Sequence, residues 1–150
     1  MTIVADYDIQ ITNHLTYAVH PTNNSDNALG LIAQHDVEVA TVAPNNLIIF
    51  AHIISCNAAT DYDAGFHVED YDSRANSGIL TVYGGIVQNN RGAVGQQANE
   101  RIGGHWTLVQ HGFLKNYTYD TRFASEPPPS YPTVSNVYVK TSWREIRITP

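Results

Sequence analysis

Residues 31–40 read LIAQHDVEVA, and residues 3–12 read IVADYDIQIT, which is almost the same pattern 28 residues earlier. At this offset Asp8 matches Asp36, and the aliphatic residues on either side of the two aspartates also match. In both copies apolar and polar residues alternate after the aspartate, which is typical of a β-strand with one buried face. The chain therefore contains the same strand–turn–strand unit twice.

Such a unit cannot bury its apolar face alone, but two copies can stack as successive coils of a solenoid. Stacking would place Ile9 beside Val37 and Ile11 beside Val39, in parallel strands with buried aliphatic side chains. The two aspartates would then lie at the same corner, where a short polar side chain can bond the backbone of its own turn. A β-sandwich with a chance internal resemblance is the alternative.

The rest of the chain favours strands over helices. No segment has a sustained helical apolar pattern. Apolar runs flanked by turn residues predict further strands in four segments: 46–56, 78–88, 105–110 and 137–148. We therefore predict an all-β fold, a right-handed single-stranded β-helix with an aromatic- and proline-rich C-terminal cap. Residues 1–104 would form the coils, and residues 105–150 would form a cap that closes the open end within the same domain.

Composition excludes several classes of function. The formal net charge is −6, with only 8 lysines and arginines among 150 residues, so nucleic-acid binding is not expected. A single cysteine, Cys56, excludes an internal disulfide. No run approaches the roughly 18 apolar residues of a membrane-spanning helix. Because the first residues already have strand character, the sequence suggests a piece of a longer chain.

The second half carries motifs that resemble a known family. The motifs are the run from Gly84 to Gln88 (GGIVQ), the run from Arg91 to Gly95 (RGAVG), a tyrosine-rich segment, a proline cluster and a final WRE. The matching positions in the tyrosine and proline segments are Lys115, Tyr117, Tyr119, Asp120, Arg122, Pro128, Pro129 and Pro132. This order resembles the C-terminal β-helical domain of bacterial pilin-like (PilX-type) surface proteins, although Phe113 stands where that family would have tyrosine.

The resemblance implies a non-catalytic structural or adhesion domain on the bacterial cell surface, outside the cell, and it implies no cofactor. The alternative is a β-helix that binds or cleaves glycans, with Asp70, Asp72 or Asp120 as candidate acids. The expected partners are the preceding part of a longer chain or another copy of this one, joined through the strand at residues 2–5. A surface glycan is a further candidate.

Two groups in the C-terminal half are candidate contact residues. Arg91, Asp120 and Arg122 are expected to lock the cap onto the coils, because a guanidinium can bond several carbonyl oxygens at once. Aromatic rings also suit sugar rings, so a glycan face is the alternative use of this region. Its candidate residues are Trp106, Tyr117, Tyr119 and Tyr131.

Two further patterns bear on metal binding. The acidic segment 61–72 contains Asp61, Asp63, Asp70 and Asp72, which could supply oxygen ligands to Ca²⁺, but a solvated loop between coils is the preferred interpretation. Among seven histidines no metal-binding motif is present, and only His105 and His111 are expected to approach each other. His52, which lies in the apolar run 46–56, is expected to be a hydrogen-bonded core residue.

Overall fold

The computed structural model describes residues 1–23, 25–56 and 64–132. Within these residues the chain forms strands and one short 3₁₀-helix, Thr121–Ala124, and no helix there is long and apolar enough to cross a membrane. The strands are β1 (Thr2–Ala5), β2 (Ile9–Ile11), β3 (Gly30–Ala33), β4 (Val37–Val39), β5 (Ile48–Ser55), β6 (Phe66–Val68), β7 (Ile79–Gln88), β8 (Gly95–Ile102), β9 (His105–Gly112) and β10 (Leu114–Tyr119).

The strands stack as a parallel β-solenoid of about 4 turns. One face is a 5-stranded sheet in the order β1-β3-β5-β7-β10, and the other is a 3-stranded sheet in the order β2-β4-β6. Every pair of neighbours within these two sheets is parallel. From β1 to β7 the chain alternates between the two sheets, so each of the strands β1 to β4 pairs with the corresponding strand of the next coil.

The predicted register of the first two coils is confirmed. Ile9 pairs with Val37 and Ile11 pairs with Val39, in parallel and at the 28-residue offset. Val37, Val39 and Ile11 are buried, whereas Ile9, in the first coil, is only half-buried. The parallel stacking excludes the β-sandwich alternative.

The core lies between the two sheets. In the larger sheet Leu31 pairs with Ile53, and both side chains are essentially inaccessible to water. In the smaller sheet Val39 pairs with Val68, which is equally buried. Because alternate residues of a strand point to opposite faces, the residues between these positions form the outer surface of the solenoid.

The corner aspartates bond the backbone of the next coil and not of their own turn. Asp8 Oδ1 accepts a hydrogen bond from the Asp36 amide at 2.9 Å, and Asp36 Oδ1 accepts one from the Gly65 amide at 2.8 Å. The prediction of one shared corner is correct, and the prediction of local turn bonding is wrong. Each aspartate therefore fixes the position of the following coil relative to its own.

The first coil has one uncovered side. Strand β1 lies at the edge of the 5-stranded sheet, where Ile3 is 42% exposed and Val4 is 66% exposed. Ile3 pairs with the buried Leu31, so it belongs to the core column but has no described coil in front of it. In the loop before β3, the carbonyl oxygens of Ser25 and Asn27 accept hydrogen bonds from the C-terminal segment.

The C-terminal third differs from the predicted division at residue 104. That position lies in the turn between β8 and β9, which form an antiparallel hairpin beside the solenoid. Strand β10 then rejoins the larger sheet in parallel with β7, so coil structure continues to Tyr119. Residues 133–150 of the predicted cap, with the strand predicted at 137–148, lie outside the described residues.

Candidate functional site: the hairpin, the groove and the strap

The hairpin of β8 and β9 is formed by its glycines. Gly103 and Gly104 connect the strands with φ values of 56° and 88°, the left-handed conformation that a two-residue hairpin turn requires. At the base Gly95 pairs with Gly112, where the strands leave and rejoin the solenoid. A side chain at Gly95 would collide with the backbone of Phe113, so the hairpin can start here only with glycine.

The hairpin exposes large apolar side chains. Trp106 is 74% exposed and Leu108, two residues along β9 and therefore on the same face, is 61% exposed. Their cross-strand neighbours are Arg101 and Asn99. We call Trp106, Leu108, Arg101 and Asn99 the hairpin patch. An aromatic ring bordered by a guanidinium and an amide can both stack on a ligand and hydrogen-bond to it.

A groove lies beside β10, on the inward face of the last described coil. It encloses about 320 Å³ and is lined by Tyr117, Tyr119, Val82 and Ile86, among others. Burial raises the pKa of the Tyr117 phenol, whose ring centroid lies 6.5 Å from that of Phe66. The phenol is therefore neutral at physiological pH and can act as a hydrogen-bond donor.

Residues 120–132, which we call the strap, run along the outer face of the larger sheet. The strap starts beside β7, where the Asp120 amide donates to the Gly84 carbonyl at 2.9 Å, and it reaches β1, where the Thr2 hydroxyl donates to the Pro129 carbonyl. Between these points Tyr131 packs on β3, because a Cβ on Gly30 would lie 2.7 Å from the Tyr131 ring. The strap thus ties the fourth coil to the first, and it does so from the side and not across the open end.

Arg122 forms the polar centre of the strap. Its Nε donates to both oxygens of Asp120, at 2.9 and 3.1 Å, and its Nη2 donates to Oδ2 at 2.5 Å. The other bonds go to the carbonyl oxygens of Ser25 and, at 3.3 Å, of Asn27. The side chain of Asp120 is only 1% exposed, so this carboxylate depends on Arg122 for its charge balance.

His52 forms the apolar counterpart of this contact. Its imidazole lies on the outer face of β5, stacked between Phe123 at 5.1 Å and Tyr131 at 4.7 Å, with interplanar angles of 3° and 12°. Burial lowers the pKa of His52, an effect that the charge of Asp120 partly offsets. The predicted core position is wrong, since the ring lies outside the core and its Nδ1 makes no hydrogen bond to a described residue.

The structure does not assemble the predicted glycan face. Tyr117 and Tyr119 lie together in the groove, whereas Trp106 belongs to the hairpin and Tyr131 belongs to the strap, where it is buried against β3 at 9% exposure. These aromatic residues therefore serve three separate surfaces. The carboxylate of Asp120, proposed as one of the acids of a glycan-cleaving site, is held by Arg122 and closed to solvent.

The two predicted locking arginines differ in their contacts. Arg122 makes the carbonyl and carboxylate bonds expected of it. Arg91 is exposed and makes no hydrogen bond to any described residue, and its predicted contact with the cap stays untested because residues 133–150 lie outside the described residues. Arg74, which no sequence pattern marked, makes a similar set of contacts: its Nη1 donates to the carbonyl oxygens of Ala40 and Thr41, both at 3.0 Å. Its guanidinium also lies over the Phe113 ring at 4.9 Å.

The acidic segment shows no convergence of its described members on a cation. Asp70 adopts a positive φ of 50° and its carbonyl oxygen accepts from the Arg74 amide at 2.7 Å, which closes a turn. Asp72 lies beside it in the same surface depression. Asp61 and Asp63 lie outside the described residues, so the calcium prediction is untested.

The histidine prediction is wrong in its choice of residues. His105 and His111 lie at opposite ends of β9, and the rise of a strand separates them by roughly 20 Å. In the described part of the chain, three metal-capable side chains meet elsewhere, at the corner of the first two coils: Asp8, His35 and Asp36. The corner was recognisable from the repeated aspartate, but the contribution of His35 was not.

Comparison of the chain with family models, with curated proteins and with solved structures finds no match. The resemblance to pilin-like surface proteins accordingly remains a prediction from the motifs themselves.

Proposed function

We propose that this protein is a non-catalytic structural and adhesion domain of a surface-anchored or pilus-associated protein. The solenoid acts as a rigid support, and the hairpin patch is its contact surface. The observation that carries the proposal is the exposure of Trp106 and Leu108, at 74% and 61%, on a hairpin that stands beside the solenoid. Exposed apolar side chains grouped on one face are typical of an interaction site.

The rigidity of the support follows from its hydrogen bonds. The strands of consecutive coils are paired along their length, and the strap joins the fourth coil to the first through Arg122 and Thr2. A contact surface mounted on such a body is held in one orientation, which reduces the entropy lost on binding. This arrangement suits a domain that holds on to a partner under load.

The cell-surface location rests on the sequence resemblance alone. The GGIVQ run lies in β7, and the RGAVG run leads from it into the hairpin, so the family-like motifs surround the proposed contact surface. A bacterial surface protein would meet polysaccharides and other surface polymers. We therefore expect the partner of the hairpin patch to be a polymer of the cell surface.

The test is a binding measurement against an array of bacterial surface polysaccharides, made with the native chain, Trp106→Ala and Val42→Ser. Val42 is 75% exposed and lies outside the hairpin, so it matches Trp106 in exposure but not in position. Loss of the central aromatic contact should weaken binding by at least about tenfold. The Val42 variant should bind as the native chain does.

A reducing-sugar assay on every polysaccharide that binds separates adhesion from cleavage. The proposal predicts binding without release of reducing ends. Turnover of any polysaccharide would contradict it and favour a glycan-cleaving β-helix. Equal binding by Trp106→Ala and the native chain would show that the hairpin patch is not the contact surface.

The second candidate is glycan binding in the groove, favoured by the placement of Tyr117, Tyr119 and Lys115 at alternate positions of one strand. Burial, together with the charge of Arg91, lowers the pKa of Lys115, and both side chains bring positive charge to an acidic protein. Neither side chain lines the groove, but Lys115 lies two residues from Tyr117 on β10, and positive charge next to the groove suits an acidic sugar. Tyr119→Ala should abolish binding in this case, and Trp106→Ala should not affect it.

We further propose that the first coil is an attachment surface for another copy of the chain or for a preceding coil. No described strand pairs with the outer edge of β1, and Ile3 and Val4 are exposed there. Light scattering should find dimers of the native chain that dissociate on Ile3→Lys. Monomers in both cases would contradict association through β1.

A further inference from the structure

The corner that joins the first two coils brings three side chains to one point. His35 Nδ1 lies 2.6 Å from Asp8 Oδ1 and 3.1 Å from Asp36 Oδ2. The three ligand-capable atoms all lie within 4.8 Å of one another. Asp8 belongs to the first coil, whereas His35 and Asp36 belong to the second.

Each of these side chains is oriented by a second contact. Asp8 Oδ1 accepts from the Asp36 amide and Asp36 Oδ1 accepts from the Gly65 amide, as described for the corners. The His35 ring stacks on Tyr7 with a centroid distance of 4.6 Å and an interplanar angle of 5°. Contacts of this kind hold metal ligands in place before the ion arrives.

We propose that Asp8, His35 and Asp36 form a zinc site that links the first coil to the second. One imidazole and two carboxylates make a mixed nitrogen and oxygen set with a charge of about −2, which a divalent transition metal neutralises. Calcium and magnesium prefer sites built from oxygen alone. The side chains are 31%, 23% and 17% exposed for Asp8, His35 and Asp36, so water can reach the remaining coordination positions.

The distances fit zinc after a small adjustment. Zinc–ligand bonds of about 2.0–2.2 Å place tetrahedral ligands about 3.3 Å apart. The His35–Asp36 separation of 3.1 Å already has this value, and the 2.6 Å hydrogen bond between His35 and Asp8 widens when the ion replaces the shared proton. Among the described contacts, the Asp8 carboxylate is hydrogen-bonded to the backbone only through Oδ1. It can therefore rotate and supply that movement.

The test is calorimetric titration of the full chain with zinc chloride, repeated with manganese and calcium chloride. The native chain should bind one zinc ion, more tightly than manganese and much more tightly than calcium. Asp8→Asn and His35→Gln should each weaken zinc binding by at least about tenfold. His105→Gln, which removes an exposed histidine of the hairpin, should leave the titration unchanged.

A second measurement guards against loss of fold. Asp8→Asn keeps an oxygen for the Asp36 amide, so its thermal midpoint without metal should stay near that of the native chain. Added zinc should raise the thermal midpoint of the native chain and not that of Asp8→Asn, because only in the native chain can a bound ion link the two coils. Zinc binding that survives both Asp8→Asn and His35→Gln, tighter binding of calcium, or no heat with zinc would each overturn the proposal.

Discussion

Removal of Arg122 should strongly destabilise the fold, because it leaves the buried carboxylate of Asp120 without a counter-charge. The Asp120 side chain is 1% exposed, and Arg122 donates to both of its oxygens and to two carbonyl groups of the loop before β3. Breaking a buried pair by removing one partner costs about 3–5 kcal/mol. For a chain of this length each kcal/mol lowers the thermal midpoint by about 2–4 °C, so Arg122→Ala should lower it by roughly 6–20 °C.

The assay is thermal unfolding followed by circular dichroism, with Arg91→Ala as the matched control. Arg91 is exposed and without a hydrogen bond in the described part of the chain, so its removal should change the stability by no more than about 0.5 kcal/mol. The double variant Asp120→Ala, Arg122→Ala should lose less unfolding free energy than the sum of the losses in the two single variants. Equal midpoints for Arg122→Ala and Arg91→Ala would refute the role of the strap.

Further predictions concern the core, the coil spacing and acid stability. Leu31→Ala should cost about 2–5 kcal/mol in urea unfolding, whereas Ile3→Ala, in the same column but 42% exposed, should cost much less; equal costs would contradict the assigned register. Gly84→Ala should reduce the soluble yield sharply, because a Cβ there meets the Ala51 carbonyl of the neighbouring coil, and a normal yield with native stability would contradict this close approach. Because the pKa of His52 is lowered in the fold, the unfolded chain takes up a proton first. The contribution of neutral His52 to the free energy of unfolding should therefore be fully present above pH 6.5 and be lost as the pH drops below it. His52→Gln should make the free energy of unfolding depend less on pH in this range, and an unchanged pH dependence would contradict the burial of the ring.

The first two coils could be predicted because their spacing is constant. Apolar alternation repeated at one offset specifies both the strands and their register, and Asp8 and Asp36 mark the corner. The later coils pair at other offsets, for example Gly30 with His52, so the repeat is lost in the sequence even though the stacking continues. Strand β8 was missed because its sequence, GQQANERI, is polar and has low strand propensity.

The strap and its arginine contacts depend on distances that no local pattern records. Arg122 bonds residues 97 and 95 positions earlier in the chain, and Arg74 bonds carbonyl groups 33 and 34 positions earlier. An arginine can hold carbonyl groups only where a loop turns them toward it. No described loop offers its carbonyl groups to Arg91 in this way, and nothing in the sequence around the two arginines shows this difference.

Footprinting with hydroxyl radicals tests the proposed contact surface most directly. The native chain would be oxidised free and bound to a surface polysaccharide, and modification would be measured residue by residue. If the hairpin patch is the contact surface, binding should protect Trp106 and Leu108 and leave Tyr119, which is 54% exposed in the groove, as reactive as before. Protection of Tyr119 with Trp106 unchanged would contradict the hairpin as contact surface and place the binding site in the groove.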